Sequence, residues 1–262
     1  MKKYFALPLA VVFVAACSES STAPVKSSDI AVSYAKPTPP PTDPCATGCS
    51  TIGSFQFEGV DAAGGATVGT EIQPGAAGVA DAPTIVDAPS GQSFLGRFDN
   101  TRTMVVINVP SGFSKYSLAF DFYTIGSWDG RGKQAQSGIF DANVFDISYQ
   151  CGATAPVSMF KTSFSNQLTV QQDFPLGYLQ GGNKAATGSF ATDALGYKGH
   201  PELSNTPVFR SFGDVSYHML YGGTNPCGTA AIQFQISTSN PTQQSNYDES
   251  WGVDNILVKA GT

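Results

Sequence analysis

The sequence predicts an all-β chain folded as an antiparallel sandwich or barrel, with a core between two sheets. Three observations carry that prediction. Only 13% of the residues are charged while 41% are hydrophobic, and 28 Gly and 17 Pro punctuate the chain, the composition of a turn-rich β protein. No segment sustains an apolar 3.6-residue period over three turns. About ten short runs instead alternate apolar and polar residues between turn signals, and their many inward Phe, Val and Ile suit a two-sheet core.

The first run is Ser54 to Gly59, with Phe55 and Phe57 on one face and Gln56 and Glu58 on the other. From Val60 to Gly91 the chain is rich in Gly, Ala and Pro, a long loop region with short strands expected near Thr70–Ile72 and Thr84–Val86. Ser93–Phe98 and Thr103–Val109 follow, the second stopped by Pro110-Ser111-Gly112. The clearest strand is Lys115–Ile125, where Tyr116, Leu118, Phe120 and Phe122 alternate with Ser117, Ala119, Asp121 and Tyr123. Phe145, Ile147 and Tyr149 mark the next strand. Val157–Phe164 and Gln167–Gln172 predict a hairpin, and Gly177–Pro201 is a second glycine-rich excursion. Val208–Phe212, Val215–Tyr221 and Ala230–Ser237 precede the closing strand.

That closing strand breaks its own pattern. Counted in twos, Trp251, Val253 and Leu257 share one face, and Asp254, Ile256 and Val258 the other. Either face therefore carries a polar intruder, Asn255 or Asp254. A carboxylate half inside a sandwich is costly unless compensated, and a bound cation is the usual compensation.

The N-terminus predicts an address. Lys2 and Lys3, the apolar run Phe5–Val14 and the small residues Ala15 and Ala16 form a secretory signal over residues 1–16, too short to span a bilayer. Val14-Ala15-Ala16-Cys17 resembles the bacterial lipobox, which implies that Cys17 is the lipidated first residue of the mature chain. Ser18 follows it where Asp would imply retention at the inner membrane, so the resemblance implies the outer membrane or cell surface. Residues 17–50, rich in Ser, Thr and Pro in their first part, read as a disordered tether. Residues 51–262, roughly 210 in all, suit a single sandwich domain.

Of five cysteines, Cys17 leaves four in an exported chain, which predicts two disulfides with three possible connectivities. Cys45 and Cys49 flank a Thr-Gly turn and are paired here, leaving Cys151 for Cys227. The chain carries 14 Lys+Arg against 20 Asp+Glu, a net charge of −6 that becomes −8 once Lys2 and Lys3 leave with the signal. That balance excludes nucleic acid and a basic membrane-binding face.

Little in the sequence points to catalysis. There is no G-x-S-x-G elbow, no H-E-x-x-H and no phosphate-binding glycine loop, and neither His200 nor His218 stands in a motif with a nucleophile. A glycoside hydrolase built on a carboxylate pair leaves no motif, because it is defined by distance in the fold, so an anchored polysaccharide-active hydrolase is the alternative reading. A purely structural envelope protein is another. Carboxylates at strand ends, among them Glu58, Asp99, Asp121, Asp129 and Asp254, are the kind of hard-oxygen donors that calcium takes from loops. Trp128, Tyr178 and Tyr197, in or beside loops, are candidates to stack on a sugar ring, and Asp129, next to Trp128, is a candidate to bind one. Trp251 reads as core.

Phe55-Gln56-Phe57-Glu58-Gly59, with Trp251-Gly252-Val253-Asp254-Asn255-Ile256, resembles the paired ends of MAM-type and reelin-type jelly rolls. Those domains open on a strand ending in Phe-Glu and close on one carrying hydrophobic-Asp-Asp/Asn-Ile. Tyr116–Tyr123 is similar to their central strand. Phe94–Asn100, Ser127-Trp128-Asp129-Gly130 and Glu249-Ser250-Trp251-Gly252 also resemble exported bacterial sandwich proteins. The resemblance implies a jelly-roll sandwich with its first and last strands adjacent. It also implies a structural calcium held by Glu58, Asp254 and Asn255, to which the strand-end carboxylate Asp99 is added as a candidate ligand, and, by likeness to calcium-dependent carbohydrate-binding modules, a non-catalytic role in binding polysaccharide or cell-surface glycan, or in adhesion. Asn255 stands where many MAM domains have a second acid.

Overall fold

A computed structural model describes residues 43–58, 65–72, 84–99, 101–131, 143–199, 211–239 and 249–262. The lipobox with Cys17, most of the expected tether, His200 and most of the expected strand 208–212 lie outside the described residues.

The described residues contain no helix and form twelve strands in two antiparallel sheets. The strands are β1 (Ser50–Phe55), β2 (Thr67–Ile72), β3 (Thr84–Asp87), β4 (Ser93–Asp99), β5 (Thr101–Val109), β6 (Lys115–Gly126), β7 (Val144–Cys151), β8 (Val157–Ser163), β9 (Ala191–Thr192), β10 (Asp214–Thr224), β11 (Ile232–Ser239) and β12 (Glu249–Gly261). One sheet runs β3-β4-β12-β6-β10-β9 with β1 also paired to β12; the other runs β2-β5-β11-β7-β8. The chain thus crosses repeatedly between layers, and its first and last strands pair directly, Ser50 opposite Ala260 and Phe55 opposite Ile256. The predicted jelly-roll sandwich with adjacent ends is the fold observed.

Alternation builds the core as expected. Leu118, Phe120 and Phe122 of β6 face Phe145 and Ile147 of β7 and Phe234 and Ile236 of β11, all fully buried. Phe122 sits at the centre of an aromatic cluster, 4.7 Å from Phe145, 5.1 Å from Phe164, 5.8 Å from Trp251 and 5.9 Å from Trp128, ring centre to ring centre. The outward face of the seven-stranded sheet is not bare: Phe94, Tyr123, Ile125, Leu195 and Ala88 form a second, smaller buried cluster. Gly252 is needed beneath it, because a Cβ there would lie 2.3 Å from the Phe94 ring.

Both predicted disulfides are present, Cys45–Cys49 and Cys151–Cys227. The expected end of the tether is corrected by the first of them. Cys45 is buried and Asp43 forms an ion pair with Lys259 of the closing strand at 3.4 Å, so residues 43–50 belong to the domain.

The expected strand Gln167–Gln172 is absent, and its side chains explain why. Gln172 Oε1 accepts from the backbone N–H of Ser165 and of Ala186, and Gln172 Nε2 donates to the carbonyls of Phe174 and Thr187. Asn166 Nδ2 donates to the carbonyls of Thr124 and Gly126, while its Oδ1 accepts from Thr124 Oγ1 at 2.6 Å. Buried amides here satisfy loop backbone and carbonyls at the end of β6, so the run is irregular, with isolated bridges to Ser211 and Asn183. Asp173, fully buried, ties the same excursion down. It binds Arg131 at 3.1 Å and accepts hydrogen bonds from Ser163 Oγ and Gly181 N. Much of the second glycine-rich excursion is therefore anchored structure.

Candidate cation clasp at the closing strand

A β-bulge resolves the broken alternation of β12. Asp254 is opposite Asp121 and Leu257 is opposite Ala119, three steps on one strand against two on the other. Asn255 takes the left-handed conformation the bulge requires, with φ 50°. Trp251 and Val253 before it and Ile256, Val258 and Ala260 after it all face the core. The chain has inserted one residue so that neither Asp254 nor Asn255 enters the apolar interior.

The bulge lies where two strands meet end to end along one edge of β12: β4 pairs with residues 250–253 and β1 with residues 256–260. Asp254 sits at that junction on the outward face, yet is only 1% exposed. Its Oδ1 accepts from the Asn255 backbone N–H at 2.7 Å. Its Oδ2 accepts from Gln92 Nε2 at 3.2 Å and from the Tyr123 hydroxyl at 3.4 Å, and Gln92 also donates to that hydroxyl at 2.7 Å. Burial pushes the Asp254 carboxyl up to about 6, the Asn255 and Gln92 donors hold it down, and the charges of Glu58 and Asp121 raise it further.

Asp121 is the middle member of a row across three strands. Asp254 of β12, Asp121 of β6 and His218 of β10 stand opposite one another in register. Asp121 Oδ1 contacts His218 Nδ1 at 2.9 Å, and Asp121 Oδ2 accepts from Asn255 Nδ2 at 2.8 Å. His218 has 60% of its side chain exposed.

The four expected calcium ligands do not form one cluster. Glu58, three residues past the end of β1, lies near enough for its charge to act on Asp254. Asn255 is adjacent but turns its amide nitrogen to Asp121. Asp99 does not join them: it pairs with Ser250, four residues back along β12 and roughly 13 Å from Asp254 at the usual rise per residue. Among the described residues no three His, Cys, Asp or Glu side chains group as metal ligands. Carboxylates are the hard oxygen donors that calcium takes, and Asp254 is one whose carboxyl is pushed up by burial.

The expected sugar platform is not assembled. Trp128 is fully buried, its ring edge-on to Phe122 and its Nε1 donating to the Ser250 carbonyl at 2.8 Å, so it cannot meet a ligand. Asp129 bonds Gln167 Nε2 and bridges to Ser165. Tyr197 is half-buried beneath the Arg97 guanidinium, 4.8 Å from its ring, and its N–H binds buried Asp214. Tyr178 is half-buried beside Lys161. Trp251 is core, as read from the sequence.

Gln92 and the in-register row through Asp121 and His218 were not singled out by the sequence as one unit. Asp121 had a signal, as an outward carboxylate in the clearest strand. Gln92 had none, since its role depends on a loop reaching a strand more than 150 residues away.

No family model and no curated protein matches the chain. Among solved structures it is similar to the K3 cleaved adhesin domain of Lys-gingipain from Porphyromonas gingivalis. The TM-score is 0.34 and the identity 8%, covering 80% of this chain and 100% of that one. It is also similar to the K2 cleaved adhesin domain of Lys-gingipain, with a TM-score of 0.33 and 11% identity over 79% of this chain and 97% of that one. Likeness at this level says nothing about what the chain binds.

Asp254 carries a pH prediction. Its folded-state value near 6 lies above its ordinary 3.8, so its contribution to stability is full below about pH 4 and is lost as pH rises through 6. In chelator at pH 8, Asp254→Asn should melt a few degrees above wild type, corresponding to about 1–2 kcal/mol, and the gap should close at pH 4. Melting curves at the two pH values check this.

Proposed function

We propose that the chain is an exported protein, anchored through Cys17 to the outer membrane, whose sandwich binds glycan or mediates adhesion without catalysis and holds a structural calcium between Glu58 and Asp254. One observation supports the reading: among the described residues, several chemistry-bearing side chains are spent on holding the fold together. Trp128 and Trp251 donate to strand carbonyls, Asp173 binds Arg131, and Asp214 accepts from the Leu195 and Tyr197 backbone N–H groups. All four cysteines after Cys17 are oxidised in pairs, which suits an exporting compartment. What such a molecule offers a partner is surface.

The test is a panel of soluble and insoluble polysaccharides, scored for retention of the protein and for release of reducing ends. Retention without turnover is the expected result. Turnover that disappears when one carboxylate is neutralised would replace this reading with the hydrolase. For the anchor, Cys17→Ser should move the protein from the membrane fraction to the soluble one in cell fractionation; an unchanged distribution contradicts it.

A further inference from the structure

We propose that residues 37–42, the proline-rich run that enters the domain at Asp43, lie across the outward face of the seven-stranded sheet and cover an apolar row there; the proposal is independent of what the sandwich binds. The first described residues already sit on that face. Asp43 pairs with Lys259 of β12 at 3.4 Å, and the Ser117 side chain of β6 hydrogen-bonds the same carboxylate. The Pro44 ring packs over β10, so closely that a Cβ on Gly222 would lie 2.5 Å from its Cγ. Lys259, Ser117 and Gly222 stand opposite one another in register, so the chain enters the domain along one row that crosses three strands.

The next row on the same face is Leu257 of β12, Ala119 of β6 and Leu220 of β10, again in register. All three side chains turn away from the interior, because their neighbours Ile256, Val258, Leu118, Phe120, Met219 and Tyr221 pack in the core. They are partly exposed and belong to neither buried cluster. The row beyond is polar, and Asp121 there is held by Asn255 on one side and His218 on the other. An apolar strip one row wide is thus bounded by the entering chain on one side and by bound polar groups on the other.

Sequence and reach select the occupant. Pro37-Thr38-Pro39-Pro40-Pro41-Thr42 carries no charge, and neither does the row of Leu257, Ala119 and Leu220. Its prolines offer apolar rings and lack N–H groups, so the run leaves few donors unmet when laid over side chains instead of against a strand edge. Neighbouring rows on one face lie about 7 Å apart, and the row itself crosses three strands in roughly 10 Å. A polyproline II run advances about 3.1 Å per residue, so about two residues reach the row from Asp43 and the other four span it. Because the segment is joined to Asp43, the contact is intramolecular and needs little intrinsic affinity. The domain then begins at Pro37 rather than at Asp43, and this part of the sheet is closed to partners.

Hydroxyl-radical footprinting, read residue by residue by mass spectrometry, tests this on the full chain made soluble by Cys17→Ser and on the same chain with residues 37–41 deleted. Leu257 and Leu220 should oxidise severalfold faster in the deletion, while Leu168 and Leu179, exposed elsewhere, keep their rates. Leu118, fully buried, reports that each chain is folded by staying unoxidised. Pro39→Ser with Pro40→Ser and Pro41→Ser, at full length, should raise the same two rates, and this variant carries the test if the deletion fails to fold. Leu257 and Leu220 rates that are equal in all the folded chains, high or low, overturn the proposal. Equal low rates that rise on dilution would assign the row to a second copy of the chain instead.

Discussion

Trp251→Ala is expected to lower the melting temperature by about 10 °C or more, and to leave much of the protein unfolded at 37 °C. The indole is fully buried, with its ring 4.5 Å from Phe98 and 5.8 Å from Phe122. Truncating a core tryptophan costs about 3–5 kcal/mol in lost transfer energy and cavity. Its Nε1 also donates to the Asp99 carbonyl at 3.0 Å, a bond that ties β12 to the end of β4. A domain of ordinary stability holds only about 5–15 kcal/mol in all. Trp251→Phe keeps most of the apolar volume and should fall by less than half as much. Thermal denaturation followed by circular dichroism gives both numbers.

Removing the Cys151–Cys227 disulfide should have an effect of similar size. The bridge joins the end of β7 to the turn before β11 across a sequence separation of 76. Closing a loop of that length in the unfolded chain is worth about 4 kcal/mol in the chain-entropy account. The Cys45–Cys49 bridge spans a separation of only 4, so the same account gives it much less. Cys151→Ala with Cys227→Ala should therefore destabilise far more than the matching change at Cys45 and Cys49, as read from urea unfolding midpoints. Equal losses would mean that the first loop owes its position to its bridge rather than to its contacts with the closing strand.

The strands were legible where one face is apolar and the other wet. Lys115–Ile125 is the best case, because its period of two persists through the whole strand. The run Gln167–Gln172 misled for the opposite reason: its amides bond to loop backbone, and nothing local distinguishes that from the polar face of a strand. Trp128 was misplaced because a loop residue next to Asp-Gly looks exposed in sequence, while the fold tucks its indole under Phe122 and Ser250. Asp254 was legible as an anomaly and wrongly placed half inside the sandwich. The sequence showed that the alternation failed there, but only the register of β12 against β6 shows that a bulge turns both polar residues outward. Glu58 reads from the sequence as a strand-end carboxylate and again through the resemblance, and its charge raises the Asp254 carboxyl. Asp99 reads from the sequence only as a strand-end carboxylate, and it pairs four residues back along β12.

We propose that Asp254 helps to hold β1 and β12 together, and the proposal rests on what compensates its charge. At pH 8 the buried carboxylate is ionised with Glu58 and Asp121 nearby, so a cation should stabilise the fold, and below its value near 6 a proton should take the cation's place. The most direct test is the melting temperature of the purified protein with calcium and with EDTA, at pH 5 and pH 8, for wild type and Asp254→Asn. The account predicts that calcium raises the wild-type melting temperature at pH 8, raises it much less at pH 5, and leaves Asp254→Asn unmoved at both. A wild-type curve at pH 8 that is the same in calcium and in EDTA would contradict it.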